Sequence, residues 1–260
     1  MLHHEISGNG KKPLVLLHGF MENTTIWDEM EAHLSKDFTL IKIDLPGHGK
    51  SKVYQEIHTV ELMAEKVKEV IDALKLEKIN LLGHSLGGYV SLAFAEKFPE
   101  ILESMTLFFS TTVADDEEKK QIRRRSIAVI DENFETFVKT SIPNLFSNNE
   151  KDILEGKIEL AKNIAKSTNK EGVKAAQLGM AERPDRTEIL ENLDAKILII
   201  AGKYDNAVKT ENLLKIIPEK TNIKTYVLDC GHNGHWEKPT ICAEIINTEL
   251  FHNLPKHFLL

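Results

Sequence analysis

Hydrophobic residues along the chain form short runs that alternate with longer amphipathic stretches. Six of these runs have the length of a buried strand: residues 14–17, 40–43, 79–82, 105–109, 197–201 and 225–228. Strands that are apolar on both faces are typical of a parallel sheet covered by helices on each side. The pattern therefore predicts an α/β fold with a mostly parallel sheet flanked by helices.

The segment between the second and third runs has the periodicity of an amphipathic helix. From Val60 to Leu74, apolar residues recur at i, i+3, i+4 and i+7, and the opposite face carries charged residues such as Glu65 and Lys68. A second helix is predicted after the third run, at residues 89–97. Strand, helix and strand repeated in this way give a doubly wound architecture.

The alternation stops between residues 111 and 186, where no buried strand is predicted. Apolar spacing predicts helices around residues 153–165 and 173–180. A further helix is expected to begin near Asp115, with Glu118 completing a capping box. We therefore predict a core made of residues 1–110 and 187–260, and a helical insertion at 111–186 that acts as a lid over the strand ends.

Composition narrows the class of protein further. The chain has 260 residues, of which 42% are hydrophobic and 28% charged, as in ordinary globular proteins. Acidic residues outnumber basic ones by 40 to 33, which gives a net charge of −7 and argues against a nucleic-acid partner. No apolar stretch approaches the roughly 18 residues of a membrane span.

The cysteine count and the first residues bear on the cell compartment. Cys230 and Cys242 make neither a disulfide framework nor a zinc motif, which favours a reducing compartment. Residues 1–6 lack the features of a signal peptide, so we expect a cytoplasmic location. We expect no cofactor and no metal, because no third ligand accompanies the pair His232 and His235. The oligomeric state is left open.

The strongest chemical motif is Gly-His-Ser-Leu-Gly at residues 83–87, between a predicted strand and a predicted helix. A strand that turns sharply into a helix forces its central residue into strained backbone angles, and small neighbours make room for the turn. Ser85 is therefore the candidate nucleophile, with its hydroxyl above the sheet at a helix N-terminus, where negative charge is favoured.

A serine hydroxyl needs a base that accepts its proton, and an acid that orients the base. Asp205 follows the run at 197–201, and His232 follows the run at 225–228. Both positions lie at the carboxyl ends of parallel strands, the same edge as Ser85. The chain order of serine, aspartate and histidine matches the order that this motif requires. We predict that these three residues form a catalytic triad.

Other residues are candidates for stabilising the oxyanion or contacting the substrate. The backbone amides of Phe20 and Leu86 are expected to form the oxyanion hole. Four residues are candidates for the substrate pocket, with structural or packing roles as the alternative: His84, Phe109, His235 and Trp236. The three arginines at residues 123–125 are expected on an exposed helix face, with anion binding as the alternative.

Over essentially the whole chain, the motifs resemble those of the α/β-hydrolase superfamily. His-Gly at residues 18–19 resembles its oxyanion loop, and residues 44–51 resemble its Asp-x-x-Gly-x-Gly-x-Ser turn. Residues 202–205 are similar to its acid loop, and residues 231–239 to its histidine loop. The resemblance implies a helical lid between the sixth and seventh strands, and a small-molecule ester or acyl substrate.

The residue at the elbow separates branches of the superfamily. Haloalkane dehalogenases and epoxide hydrolases carry aspartate there, whereas this chain has Ser85. The histidine loop is similar to that of MenH enzymes, but Tyr89 stands where those enzymes usually carry an arginine. We predict hydrolysis of carboxylic esters through an acyl-enzyme. The alternatives are a C–C bond hydrolase, a MenH-like lyase and a small-molecule sensor with slow turnover.

Overall fold

A computed structural model describes residues 1–251 of the chain. Its seven strands are β1 (His4–Ser7), β2 (Lys12–Leu17), β3 (Phe38–Ile43), β4 (Ile79–His84), β5 (Leu102–Phe108), β6 (Lys196–Gly202) and β7 (Ile223–Leu228). They form one sheet in the order β1-β3-β2-β4-β5-β6-β7. Only β1 runs antiparallel to its neighbour, and the five other pairs in the described residues are parallel.

Helices connect these strands. The α-helices of the described residues are α1 (Asp28–Leu34), α2 (Val60–Ala73), α3 (Leu86–Lys97), α4 (Glu117–Ser141), α5 (Glu155–Ser167), α6 (Lys170–Glu182), α7 (Glu188–Asn192), α8 (Thr210–Lys215), α9 (Gly234–Glu237) and α10 (Pro239–Ile246). Single turns of 3₁₀ helix lie at Thr24–Trp27, Pro99–Ile101, Ile142–Leu145 and Asn148–Glu150, and a π turn lies at Asn247–Phe251. None of the helices in residues 1–251 is both long enough and apolar enough to cross a bilayer.

The sheet has a buried apolar layer on each face, as the apolar runs predict. Along β2, Val15 and Leu17 belong to one hydrophobic cluster, whereas Leu14 and Leu16 belong to the other. The first cluster includes the apolar faces of α2 and α3, and the second includes those of α1 and α10. Because successive side chains of a strand point to opposite faces, one uninterrupted apolar run can supply both layers.

The six predicted strands are present, with two differences at the edges of the sheet. The sequence analysis missed β1, whose four residues are mostly half-buried and carry no apolar run. The run at 225–228 was expected to be buried, but β7 is the last strand of the sheet and Val227 is 43% exposed. An edge strand lacks a neighbour on one side, so its sequence needs less apolar surface.

The segment at residues 111–186 is helical, and it leaves and rejoins the sheet between β5 and β6, the fifth and sixth strands here and not the sixth and seventh that the resemblance implies. The expected capping box at Asp115 is wrong. Asp116 is the N-cap of α4, and its side chain accepts the amide of Lys119 at 2.8 Å. Asp115 is instead buried and pairs with the guanidinium groups of Arg123 and Arg183, which leaves it no geometry for capping.

Phe94 tests the packing of α3 against the sheet, because it is fully buried. Replacing it with Ala is expected to lower the free energy of unfolding by about 3–5 kcal/mol through lost apolar burial and a residual cavity. Urea unfolding followed by circular dichroism measures this loss. Ile153→Ala, at a side chain that is 84% exposed, is the control and should change stability by less than about 0.5 kcal/mol. Equal effects of the two variants would contradict this packing.

Candidate active site

The turn between β4 and α3 presents Ser85 at the carboxyl edge of the sheet. Ser85 has φ 49° and ψ −109°, a backbone conformation that residues other than glycine rarely adopt. Its amide donates to the carbonyl of Phe108 at 3.0 Å, and its carbonyl accepts the hydroxyl of Ser110 at 2.8 Å. These bonds hold the strained residue to the neighbouring strand, as the motif predicts.

Three glycines make this turn sterically possible. A Cβ on Gly83 would collide with the backbone of Gly87, and a Cβ on Gly87 would collide with the carbonyl of Leu17. A Cβ on Gly88 would collide with the side chain of Ser110. The elbow therefore needs small residues because the first turn of α3 lies directly against β2 and β4.

His232 and Asp205 meet at the same edge of the sheet. Nδ1 of His232 lies 2.7 Å from Oδ2 of Asp205, and both side chains are buried. The other carboxylate oxygen accepts the amides of Ala207 and Val208 at 2.7 and 2.9 Å. Since an ionised carboxylate only accepts, Nδ1 of His232 donates a proton to it, and in the neutral ring Nε2 then carries the lone pair.

Two opposing effects set the pKa of His232. Burial lowers the pKa of the imidazole, but the charge of Asp205 and the hydrogen bond to it raise the pKa by more. The net result is a His232 pKa above the usual 6.5. Stabilisation of the charged ring is what a base needs when it takes a proton from a hydroxyl.

Ser85 and His232 line one small cavity of about 150 Å³, together with Phe20 and Arg123. A larger cavity of about 540 Å³ shares Phe20, Tyr89 and Arg123 with it. The two cavities therefore adjoin, and residues of the helical insertion line both of them.

The amides predicted for the oxyanion hole belong to one residue that lines the cavity and to one that follows the serine. Phe20 lines the small cavity, and Leu86 directly follows Ser85. Within residues 1–251, neither amide donates a hydrogen bond to a protein acceptor. Both donors are therefore available to a ligand, and their role as an oxyanion hole stays a prediction.

Of the predicted pocket residues, only His84 lines the small cavity. The rings of Phe109 and Phe108 pack with their centroids 4.7 Å apart, and the ring of Trp236 stacks on that of Phe146. Phe109 and Trp236 are therefore core side chains. His235 is fully buried and lies behind His84, with its ring centroid 4.6 Å away. Apolar character alone could not separate wall residues from the residues packed behind the wall.

Arg123 corrects the expectation of an exposed arginine run. Arg124 and Arg125 do lie on the exposed face of α4, but Arg123 lines both cavities. Its guanidinium also donates to Asp115 and, at 3.1 Å, to Gln177. Arg123 and Arg124 are adjacent, and a step of one residue along a helix rotates the side chain by about 100°, enough to move it from the cavity to solvent. No periodic signal in this polar stretch marks the difference.

Glu22 is the site residue that the sequence analysis missed. Its buried carboxylate accepts the amide of Gly19 at 2.6 Å and lies 2.8 Å from Nδ1 of His84. Burial raises the pKa of Glu22, but the charge and hydrogen bond of His84 outweigh it and bring the pKa to about 2. The only available signal was its spacing three residues after Gly19 in the oxyanion loop.

The turn at residues 44–51 braces the site from outside. Asp44 accepts the amides of Thr24 and Lys50, each at 2.9 Å. The amide of Leu45 donates to Nε2 of His18 at 2.9 Å. These contacts tie the turn to the loop that follows β2, which fits a bracing role for Asp44.

Comparison with known proteins assigns the family. A family model described as the alpha/beta hydrolase fold matches residues 12–239. The chain belongs to the α/β-hydrolase family. The predicted superfamily, its fold and its membership of an enzyme family are thereby confirmed.

Relatives within the α/β-hydrolase family include esterases and other hydrolases. A thermophilic esterase from Thermogutta terrifontis, solved with malate bound, is 33% identical, with a TM-score of 0.88 over 95% of this chain and 91% of that chain. A 2-hydroxy-6-oxononadienedioate/2-hydroxy-6-oxononatrienedioate hydrolase of Escherichia coli is 27% identical over 91% of this chain and 86% of its own.

Two further matches are more limited. MenH from S. aureus is 21% identical, with a TM-score of 0.85 over 96% of this chain and 98% of that chain, and shares the fold. An uncharacterized protein of Mycobacterium tuberculosis is 34% identical over 111 residues, so that 43% of this chain matches 32% of that protein. This chain therefore aligns with about a third of the length of that relative.

Gly87 and Gly156 offer a matched test of the elbow geometry. Gly87→Ala is expected to destabilise the protein by about 1–3 kcal/mol, because its Cβ would meet the backbone of β2. In α5, a Cβ on Gly156 would meet nothing within 4 Å, so Gly156→Ala should be neutral or stabilise by up to about 1 kcal/mol. Thermal unfolding measures both, and a neutral Gly87→Ala would refute the close approach.

Proposed function

We propose that the chain is a serine hydrolase that cleaves carboxylic esters of small molecules through an acyl-enzyme. The observation that carries the proposal is the 2.7 Å contact between His232 and Asp205, next to a cavity that His232 shares with the strained Ser85. A base oriented by a carboxylate, in the same cavity as a serine hydroxyl, is the arrangement that makes serine nucleophilic.

In the proposed acylation step, Nε2 of His232 takes the hydroxyl proton while Oγ of Ser85 attacks the ester carbonyl. Asp205 holds the imidazole in the tautomer that leaves Nε2 free, and stabilises the imidazolium that forms. The amides of Phe20 and Leu86 donate to the oxyanion. The imidazolium then protonates the alcohol as the carbonyl–oxygen bond breaks, leaving an acyl group on Ser85.

In the proposed deacylation step, neutral His232 takes a proton from water, and the hydroxide attacks the acyl carbonyl. The same amides stabilise the second oxyanion. The proton then passes from His232 to Oγ of Ser85 as the acid leaves. Every proton is carried by His232, so this cycle needs no cofactor.

The insertion at residues 111–186 supports a substrate that carries an anionic group. Asp115 pairs with both Arg123 and Arg183, so two guanidinium groups share one carboxylate beside the cavity. Because Arg123 also lines the space around Ser85, a substrate carboxylate would find a charged partner there. We propose that this segment acts as the lid of the site and selects acidic substrates.

The same arginine favours a second candidate function, hydrolysis of a C–C bond in an acidic diketone. The Escherichia coli relative is named for a dienedioate substrate, and the Thermogutta terrifontis esterase was solved with malate, which is also a dicarboxylate. A MenH-like lyase, with Ser85 as the base that starts pyruvate release, would also use the positive charge of Arg123 to bind an acidic substrate. The three chemistries differ in their products, so product analysis separates them.

The two cysteines support a reducing compartment. Cys230 and Cys242 are both free and buried, and burial raises the pKa of each thiol far above its usual value. Such thiols are poor nucleophiles and form no cross-link here. We propose a cytoplasmic location on this ground.

Ser85→Ala tests the proposed nucleophile. On p-nitrophenyl esters from acetate to laurate, the variant is expected to lose at least about a thousandfold in kcat, because it has no group to carry the acyl. Ser167→Ala, at an exposed position at the end of α5, is the matched control and should keep wild-type rates. Wild-type turnover by Ser85→Ala on every ester would overturn the mechanism.

A folded wild-type protein that cleaves no ester would also overturn the proposal. In that case the same protein is assayed for pyruvate release and for cleavage of a dienedioate, which identify the lyase and the C–C hydrolase. Acylation of Ser85 that stops after one turnover identifies a sensor.

Asp205→Asn tests the second member of the triad through pH. The wild-type rate should fall as pH drops through the pKa of His232, because protonation removes the base. Without the carboxylate that raises this pKa, the acid limb should move to lower pH. The plateau kcat should fall by about 10⁴-fold, because the amide favours the wrong tautomer. Asp72→Asn, at an exposed aspartate of α2, is the control, and an unshifted acid limb in Asp205→Asn would contradict the pairing.

A further inference from the structure

A buried cluster at the wall of the small cavity takes no part in the proposed cycle. It consists of Glu22, His84 and His235. Oε2 of Glu22 lies 2.8 Å from Nδ1 of His84, and Oε1 of Glu22 lies 3.7 Å from Nε2 of His235. A separation of 2.8 Å fits a hydrogen bond, since two ligands of a tetrahedral zinc ion are roughly 3.3 Å apart.

His18, in the same loop as Glu22, shows how the donors and acceptors around a buried imidazole reveal which ring nitrogens carry a proton. The amide of Leu45 donates to Nε2 of His18 at 2.9 Å, so Nε2 carries a lone pair. Nδ1 then carries the only proton and donates it to the carbonyl of Gly19 at 2.7 Å. His18 is therefore neutral, and burial lowers its pKa in agreement.

The same count gives a different result for His84. Its Nε2 lies 3.0 Å from the carbonyl oxygen of His232, and its Nδ1 lies 2.8 Å from the Glu22 carboxylate. A carbonyl and an ionised carboxylate can only accept, so each ring nitrogen must donate a proton. The same carboxylate accepts the amide of Gly19 at 2.6 Å, a short bond of the kind that ionised carboxylates make, and the Glu22 pKa of about 2 agrees with an ionised group.

We propose that His84 is an imidazolium ion in the resting protein, and that its ion pair with Glu22 is a positioning device for the active site. The pair joins three loops. Oε2 of Glu22 accepts the amide of Gly19 next to Phe20, and His84 precedes Ser85. Nε2 of His84 holds the carbonyl of His232. One charged pair thus sets the relative positions of the oxyanion loop, the nucleophile and the base.

Within residues 1–251, Glu22 is the carboxylate that pairs with His84. The other titratable side chains that face it are His18, His232 and His235. Burial and the charge of His84 lower the pKa of His235 well below 6.5, so His235 is neutral. Its ring packs against that of His84, with the ring centroids 4.6 Å apart, and both side chains are buried. A low local dielectric strengthens a paired charge and penalises an unpaired one.

Nitrogen-15 NMR of the wild-type imidazoles tests the protonation state without any variant. Long-range proton–nitrogen correlation near neutral pH should show protons on both nitrogens of His84, and on one nitrogen of His18, the internal control. One protonated nitrogen on His84 would overturn the proposal. So would a stoichiometric bound metal found by elemental analysis, because a metal on Nδ1 displaces its proton.

Glu22→Gln tests the positioning role. The amide has a single oxygen, so it either leaves His84 without an anion or leaves the Gly19 amide without an acceptor. If the ester hydrolysis proposed above holds, kcat should fall roughly tenfold to a hundredfold while KM changes less than about twofold. Glu22→Asp, which keeps the charge, should recover part of the loss.

Glu61→Gln is the matched control, because it removes a carboxylate from an ion pair with the buried Arg186, outside the active site. Its kcat should equal that of the wild type. A Glu22→Gln variant with unchanged kcat, or a folded Glu22→Asp variant no better than it, would refute the positioning role. The NMR result does not depend on substrate, so failure of the ester assay and failure of this proposal are distinguishable.

Discussion

The left-handed backbone of Ser85 is the constraint on which the rest of the site depends. It turns β4 into α3 within one residue, which brings the first turn of α3 against β2 and demands glycine at positions 83, 87 and 88. The same turn raises the serine above the carboxyl edge of a parallel sheet. Every parallel strand ends at that edge, so loops far apart in sequence can supply the remaining groups without any rearrangement of the core.

Those loops are held by backbone contacts as much as by side chains. The amide of His232 donates to the carbonyl of Leu145 at 2.8 Å, and the buried Glu237 accepts the amides of Gly231 and Ser147. Leu145 and Ser147 belong to the helical insertion. The segment that we propose as a lid is therefore hydrogen-bonded to the histidine loop itself. A change in the packing of this segment would alter the position of His232 as well as the contacts to the substrate.

Two kinds of feature could be predicted from the sequence: strands and helices with a repeating hydrophobic pattern, and residues at positions that allow few side chains. Apolar runs located β2 to β6 because burial on both faces leaves a strong signal, and a weaker run located the half-exposed β7. The elbow glycines located Ser85 because few residues fit that turn. Asp205 and His232 followed from chain order at strand ends. Glu22 and Arg123 could not be predicted as site residues, because their positions depend on contacts with residues that are distant in sequence. The pocket candidate Phe109 packs against Phe108 in the core, and its hydrophobicity could not show this, since a wall residue and a core residue are equally apolar.

The histidines show why the role of a residue cannot be assigned from its type alone, without its neighbours in the structure. His18 has one donor and one acceptor as neighbours and is neutral, whereas His235 has no hydrogen-bond partner within residues 1–251. His232 faces a carboxylate on one side and a cavity on the other. His84 faces acceptors on both sides, which under our proposal fixes a positive charge one residue from the nucleophile. Chemical identity sets which protons each ring can carry, and the neighbouring acceptors decide which of them it keeps.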